Sequence, residues 1–254
     1  LWGPHEAKLA LDSGSMSQTL LIAGCFLSDH SNKEEHQDAQ VAVKEMRERG
    51  VRYILTLFDN SPPCPEFYRF FFQWLVEDPC LGLVIKSKGK SWKEVRNDGL
   101  NGLVERADKT NRVHVMDKWS SPADAASSSD FSVSVTSIST LIVAALHGSR
   151  VIYLDYERVD QGPQKPYSIL HSLGSNRCVF YEPDLLREAI LNYFENPETN
   201  SYLGDATPIL DQLDPFRDRK ASQRIGEFVA SYLEELDNGL SADNAVRVAT
   251  DRFS

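Results

Sequence analysis

Short runs of consecutive apolar residues alternate along most of this chain with longer stretches in which apolar positions recur at helical spacing. Thr19–Cys25, Tyr53–Phe58, Leu81–Lys86, Arg112–Met116, Phe131–Val135, Arg150–Leu154 and Cys178–Tyr181 read as strands. Several of these, such as Tyr-Ile-Leu-Thr-Leu-Phe and Val-Ile-Tyr-Leu, are apolar almost without interruption, which suits strands covered on both faces. Between them, helices are predicted over Lys33–Arg49, Glu66–Val76, Ser91–Ala107, Pro122–Ser127, Ser137–His147 and Pro183–Phe194. Local chemistry punctuates these helices. Gly50 and Gly148 stand at natural C′ positions, Asp78-Pro79 halts the aromatic-rich helix, and Ser121 followed by Pro122 is a capped start. Asp98-Gly99 and Gly102 interrupt the third helix. The β-α-β-α order predicts an α/β fold: a Rossmann-like parallel sheet with helices on both faces.

The pattern changes after Pro208. No strand recurs, and two helices follow, Arg217–Asp237 and Ser241–Phe253, separated by Gly239 and with Ser241 as the cap of the second. The expected organisation is an entry or linker segment over residues 1–30, a Rossmann-like domain over 31–207, and C-terminal helices over 208–254 packing on it. The chain opens Leu1-Trp2-Gly3 rather than with Met, so a piece of a longer protein is expected.

Composition narrows the function classes. Across 254 residues, 27 Lys plus Arg face 37 Asp plus Glu, a net charge of −10, and the isoelectric point is near 5.1. A general nucleic-acid binder would carry a basic field instead, so no nucleic-acid partner is expected. Apolar residues make up 41 %, too many for a disordered chain. No run approaches the roughly 18 apolar residues of a membrane span. Four cysteines lack any CxxC spacing and six histidines lack HxxxH or HExxH. Reduced, mostly buried thiols, no metal centre and a cytoplasmic location, either free or peripheral at the inner face of the membrane, are the expectations.

In an open α/β sheet, ligands bind outside the carboxyl ends of the strands, which directs attention to three segments. After Val135, the hydroxyl-rich turn Thr136-Ser137-Ile138-Ser139-Thr140 opens a helix. Its free N–H groups and positive dipole end would attract a phosphate, with Ser137, Ser139 and Thr140 adding hydroxyl donors. An ordinary Ser/Thr cap explains the same residues. After the strand ending at Lys86 comes Ser87-Lys88-Gly89-Lys90, a lysine cluster in an acidic chain that could neutralise a diphosphate or simply solubilise a loop. Asp59 follows the strand Tyr53–Phe58 and could accept a proton or bond a sugar hydroxyl, although Asp59-Asn60-Ser61-Pro62 is also ordinary turn chemistry. Asp155, just past another strand, could reach a ligand or cap its turn. His114 fits a structural role within a strand.

The run from Ala125 to Ile152, through Asp130-Phe131-Ser132-Val133-Ser134 and Ser137-Ile138-Ser139-Thr140 to Gly148-Ser149-Arg150-Val151-Ile152, resembles the donor-side signature of GT-B glycosyltransferases. Bacterial surface-polysaccharide biosynthesis proteins and CDP-glycerol glycerophosphotransferases are the nearest likeness. Asp214-Pro215-Phe216-Arg217-Asp218 with Arg224-Ile225-Gly226 resembles their closing helices. Leu1-Trp2-Gly3, Leu21-Ile22-Ala23-Gly24 and Asp29 are similar to the stretch joining their two lobes. The resemblance implies one lobe of a GT-B fold. Its substrate would be a nucleotide-sugar or CDP-linked donor, with a glycan acceptor and an N-terminal lobe of the same protein as partners. It further implies no resident cofactor and no metal requirement, with Thr136, Ser137, Ser139 and Thr140 at the donor phosphates and Lys86 and Lys88 screening them. Two departures stand out. Relatives often carry a Lys-Pro-His run where Lys86 and Lys88 lie, and many carry a ribose-binding glutamate where Val143 stands. Either the donor is unusual or another residue meets the ribose. A nucleotide-sugar epimerase of similar architecture and a non-catalytic α/β interaction module remain alternatives.

Overall fold

The computed structural model describes residues 1–14, 20–29, 37–59, 64–87, 99–117, 119–135, 139–163 and 165–253. Its chain divides into two compact units, Ser31–Pro208 and Leu1–His30 with Ile209–Ser254.

The larger unit is built on strands β1 (Tyr53–Phe58), β2 (Leu81–Lys86), β3 (Val113–Val115), β4 (Phe131–Ser134), β5 (Arg150–Leu154) and β6 (Val179–Phe180). They form one parallel sheet in the order β3-β2-β1-β4-β5-β6. Every residue of β1 and β2 is buried, as their unbroken apolar runs require. Six of the seven expected strands therefore exist: β1, β2 and β5 have the expected bounds, and β3, β4 and β6 are trimmed at their ends.

Helices cover both faces. Label α1 is kept for Pro4–Asp12 in the other unit. Here α2 is Gln37–Glu48, α3 Pro65–Glu77, α4 Asn101–Asp108, α5 Pro122–Ser127, α6 Ser139–Leu146 and α7 Pro183–Glu195. One sheet face presents Leu55, Leu57, Leu83, Ile85, Phe131, Val133 and Ile152 to α3, α4 and α7, and Phe67, Phe71 and Trp74 of α3 complete that core. The opposite face carries α2, α5 and α6. Thr56 Oγ1 donates to the Ala125 carbonyl of α5 at 2.8 Å, and Gly82 lets α2 approach so closely that an added Cβ would lie 2.9 Å from Met46 Sδ.

α6 ends in a Schellman turn. Gly148, at φ +84°, donates its N–H to Ala145 O, while Ser149 N–H reaches back to Ala144 O. α4 begins two residues after Gly99, which sits at φ +74°. The expected start of that helix, 91–98, lies outside the described residues, as do 33–36 of the helix expected from Lys33 and 137–138 of the one expected from Ser137.

The smaller unit consists of α1 with α8 (Leu210–Leu213), α9 (Ala221–Asp237) and α10 (Ala242–Asp251). Two sequence expectations are corrected here. Of the expected strand Thr19–Cys25, residues 20–25 are described and have no strand partner among the described residues; their links include Ala23 N–H to Leu1 O at 2.9 Å, the Leu1 ammonium to Leu21 O at 2.9 Å and Cys25 N–H to Asp214 Oδ2 at 2.9 Å. An apolar run becomes a strand only where a neighbour completes its ladder. Within the same unit, α1 starts at Gly3 and Pro4. Finally, the helix expected from Arg217 starts at Ala221, because Arg217 and Arg219 take φ 49° and 59°, which no right-handed helix admits. Ser241 does stand at the N-cap of α10, but its side chain makes no capping bond.

No helix among the described residues is long and apolar enough to cross a membrane.

Candidate functional site

The strand order 3-2-1-4-5-6 reverses direction between β1 and β4. At such a switch point the crossover connections leave to opposite sides, so a crevice opens at the carboxyl ends of these two strands. Phe58, Lys86 and Ser134 stand level across this edge, since Phe58 is in register with both of the others. The described chain beyond each strand therefore contributes to one rim: Asp59 after β1, Ser87 after β2 and Val135 after β4.

Candidates from the sequence fall into two groups. Asp59, Lys86, Ser139 and Thr140 are described; Lys88, Thr136 and Ser137 lie outside the described residues. Asp59 flanks the switch point and is 1 % exposed. Its carboxylate faces the Tyr68 hydroxyl of α3. Burial first, and then this carboxylate, push the Tyr68 phenol well above its ordinary range. Lys86 closes β2 with 8 % of its surface exposed, an unusual burial for an ammonium group. Ser139 is exposed as the first residue of α6, and Thr140 Oγ1 behind it is out of solvent and accepts no bond from the described residues. Val143, at the position where the resemblance anticipates a ribose contact, is fully buried on the inward side of α6.

Further along the rim, Asp155 follows β5. Its oxygens accept the Val159 N–H at 2.8 and 3.0 Å, the Tyr153 hydroxyl at 3.1 Å, and stand 3.0 Å from His171 Nε2. Of the two roles open to Asp155, the turn cap is thus present. His171 and its neighbour Ser168, 2.6 Å from Nδ1, carry no sequence signal, because their meeting with Asp155 depends on how an irregular segment folds back.

A cleft of about 500 Å³ opens between the starts of α3 and α7 and the residue after Asp155, lined by Cys64, Glu66, Arg69, Phe70, Tyr156 and Pro183 among others. That volume is within the usual range of small-ligand sites. Arg69 brings a guanidinium, held by Glu66 at 2.9 Å. Burial raises the Tyr156 phenol far above its ordinary value, and its hydroxyl is out of solvent without a partner among the described residues. Sequence reading passed over Arg69 and Tyr156, since each lies inside a pattern that packing alone explains.

No protein-family model and no curated protein matches the chain. Among solved structures, it is similar to one described as the wall teichoic acid polymerase TagF in a variant soaked with CDPG, at a TM-score of 0.57 and 11 % identity. The match covers 92 % of this chain and 56 % of that one, so this chain spans little more than half the length of that protein. At such identity the likeness is one of fold alone, a Rossmann-like parallel α/β architecture.

Proposed function

We propose that this chain is the donor-binding lobe of a GT-B-type transferase that moves a sugar or glycerol phosphate from a nucleotide-activated donor to a hydroxyl of a surface polysaccharide. The observation that carries the reading is the convergence of Lys86, Asp59 and the start of α6 on the switch point of the sheet. The backbone N–H groups at the start of α6, with Ser139 and Thr140 and the adjoining Thr136 and Ser137, cradle the donor phosphates. Lys86 and Lys88 place positive charge beside them, so the leaving phosphate is stabilised by fixed dipoles and ammonium groups without a metal ion. Asp59, engaged by Tyr68, forms the floor beside the transferred group. A second lobe of the same protein supplies the acceptor site. The structural neighbour supports the reading at the level of fold, through the polymerase and the CDPG named in its description.

Titration calorimetry with CDP-, CMP- and UDP-linked donors tests it. One donor class is expected to bind saturably, with affinity reduced at least about tenfold, or roughly 1.4 kcal/mol, in Lys86→Ala and in Ser139→Ala. Absence of binding by every donor overturns the reading in favour of a non-catalytic module. Donor cleavage that needs no glycan acceptor points instead to an epimerase or hydrolase of the same architecture.

A further inference from the structure

Between β5 and β6 the described chain runs from Asp155 to Cys178 with no α-helix, only three short 3-10 turns. Irregular segments of this length in compact domains generally need a fastening of their own. Here Asp155 and Asp160 at the start of the segment meet His171 near its end, and one potential ligand atom from each lies within 4.8 Å of the other two. The Asp155 carboxylate is fully buried and the His171 side chain is 10 % exposed. Two carboxylates so close together, one fully buried and the other partly so, repel each other, and a cation between them relieves the repulsion. Arg158, on the same segment, is turned elsewhere: its guanidinium lies 4.7 Å from the Tyr181 ring centroid and 3.4 Å from Glu182.

Two further observations bear on what that cation is. Asp160 Oδ2 accepts the Tyr181 hydroxyl at 2.9 Å, whereas Oδ1 is out of solvent and accepts no hydrogen bond from the described residues. In addition, each of the three side chains has an outer partner. Ser168 Oγ stands 2.6 Å from His171 Nδ1, the Tyr153 hydroxyl bonds Asp155, and the Tyr181 hydroxyl bonds Asp160. Metal-ligating histidines and carboxylates are oriented by such partners. The geometry admits two tautomers: with Nε2–H donating to Asp155 Oδ2 the 3.0 Å contact is a hydrogen bond, and with Nδ1–H donating to Ser168 the Nε2 lone pair and Oδ2 converge on one point, as two ligands of a shared cation do.

We propose that Asp155, Asp160 and His171 form a divalent-metal site that staples the β5–β6 crossover. Nε2 and one oxygen from each carboxylate bind a borderline first-row ion, Zn²⁺ or Mn²⁺, and water completes the coordination. Ligands about 2.1 Å from one ion stand about 3–3.5 Å apart. Nε2 and Asp155 Oδ2 already meet this spacing, and Asp160 joins them by a side-chain adjustment. The metal's role is to hold the crossover, separate from the transfer chemistry proposed above.

Calorimetric titration of Zn²⁺, and separately Mn²⁺, into the chelator-stripped chain tests the site, together with thermal melting in each state. One equivalent is expected to bind and to raise Tm. Asp160→Asn, nearly isosteric, and His171→Gln are each expected to weaken binding at least about tenfold, and Ser168→Ala to weaken it by about 10-fold or somewhat less. The proposal is overturned if neither ion binds saturably up to about 1 mM, or if binding survives unchanged in Asp160→Asn, which would place the ion on other groups. A protonated His171 paired with Asp155 alone would give the first of these results. Should His171→Gln not fold, Asp160→Asn decides by itself.

Discussion

Asp214 gathers three backbone donors onto one carboxylate: Cys25 N–H at 2.9 Å, Phe216 N–H at 2.9 Å and Arg217 N–H at 3.0 Å. It is 4 % exposed, so these donors have little water to turn to. Asp214→Ala is therefore expected to cost about 2–4 kcal/mol, read as a lowered urea midpoint at unchanged m-value. Gly204 is constrained differently. It takes φ +70°, accepts Val151 N–H at 2.8 Å, and leaves only 2.8 Å between a built Cβ and Arg150 Cβ. Gly204→Ala combines left-handed backbone strain with overpacking against Phe131, and is expected to lose at least about 2 kcal/mol in the same measurement.

Helix ends show how far an element's own sequence reaches. Ser121 caps α5 by accepting Ala123 N–H at 3.2 Å, whereas Ser241 occupies the same position on α10 without such a bond. Ser121→Ala is expected to cost about 1 kcal/mol and Ser241→Ala no more than about 0.5 kcal/mol, a contrast that paired denaturation curves resolve. The start of α9 is served from a distance instead: Asp29 accepts the N–H groups of Ala221 and Ser222. At the other end of a helix, Arg112 donates to Leu75 O and Asp78 O at 2.7 and 2.6 Å and so satisfies carbonyls left open as α3 closes.

For the molecule as a whole, buried acids set the alkaline limit. Burial pushes the Cys178 thiol up to about 12, and burial together with the Asp160 carboxylate takes the Tyr181 phenol to about 12. Tyr153 rises further, through burial and then Asp155. Raised values mean that the native state keeps protons which the unfolded chain releases above its ordinary pKa of 9.0 for the thiol and 10.0 for the phenols. Stability is thus fully present below about pH 9 and declines as pH rises toward 12, by up to about 1.4 kcal/mol per pH unit for each proton retained on buried Cys178 and Tyr153. The decline is smaller for partly exposed Tyr181, where solvent screens the interaction. Denaturation midpoints measured from pH 7 to 11 are expected to stay level and then fall. The same burial protects the thiols. At pH 8, disulfide-exchange reagents are expected to reach half-buried Cys64 and Cys80 first, and Cys25 and Cys178 only on unfolding.

Apolar runs were long enough, and Gly and Pro placed sharply enough, for the chain alone to determine six parallel strands, the helices between them and an α/β fold with a helical tail. The hydrophobic effect acts locally there, since a doubly covered strand must be apolar on both sides. The carboxyl-edge position of Asp59 and Lys86 followed from the same pattern. What only the tertiary structure decided depends on partners distant in the chain. Residues 20–25 lacked a neighbouring strand, Arg217 and Arg219 adopted left-handed backbone beside Asp214, Asp59 met Tyr68, and Asp155 met His171 sixteen residues on. Such meetings rest on geometry between elements, which no local spacing of residue types encodes.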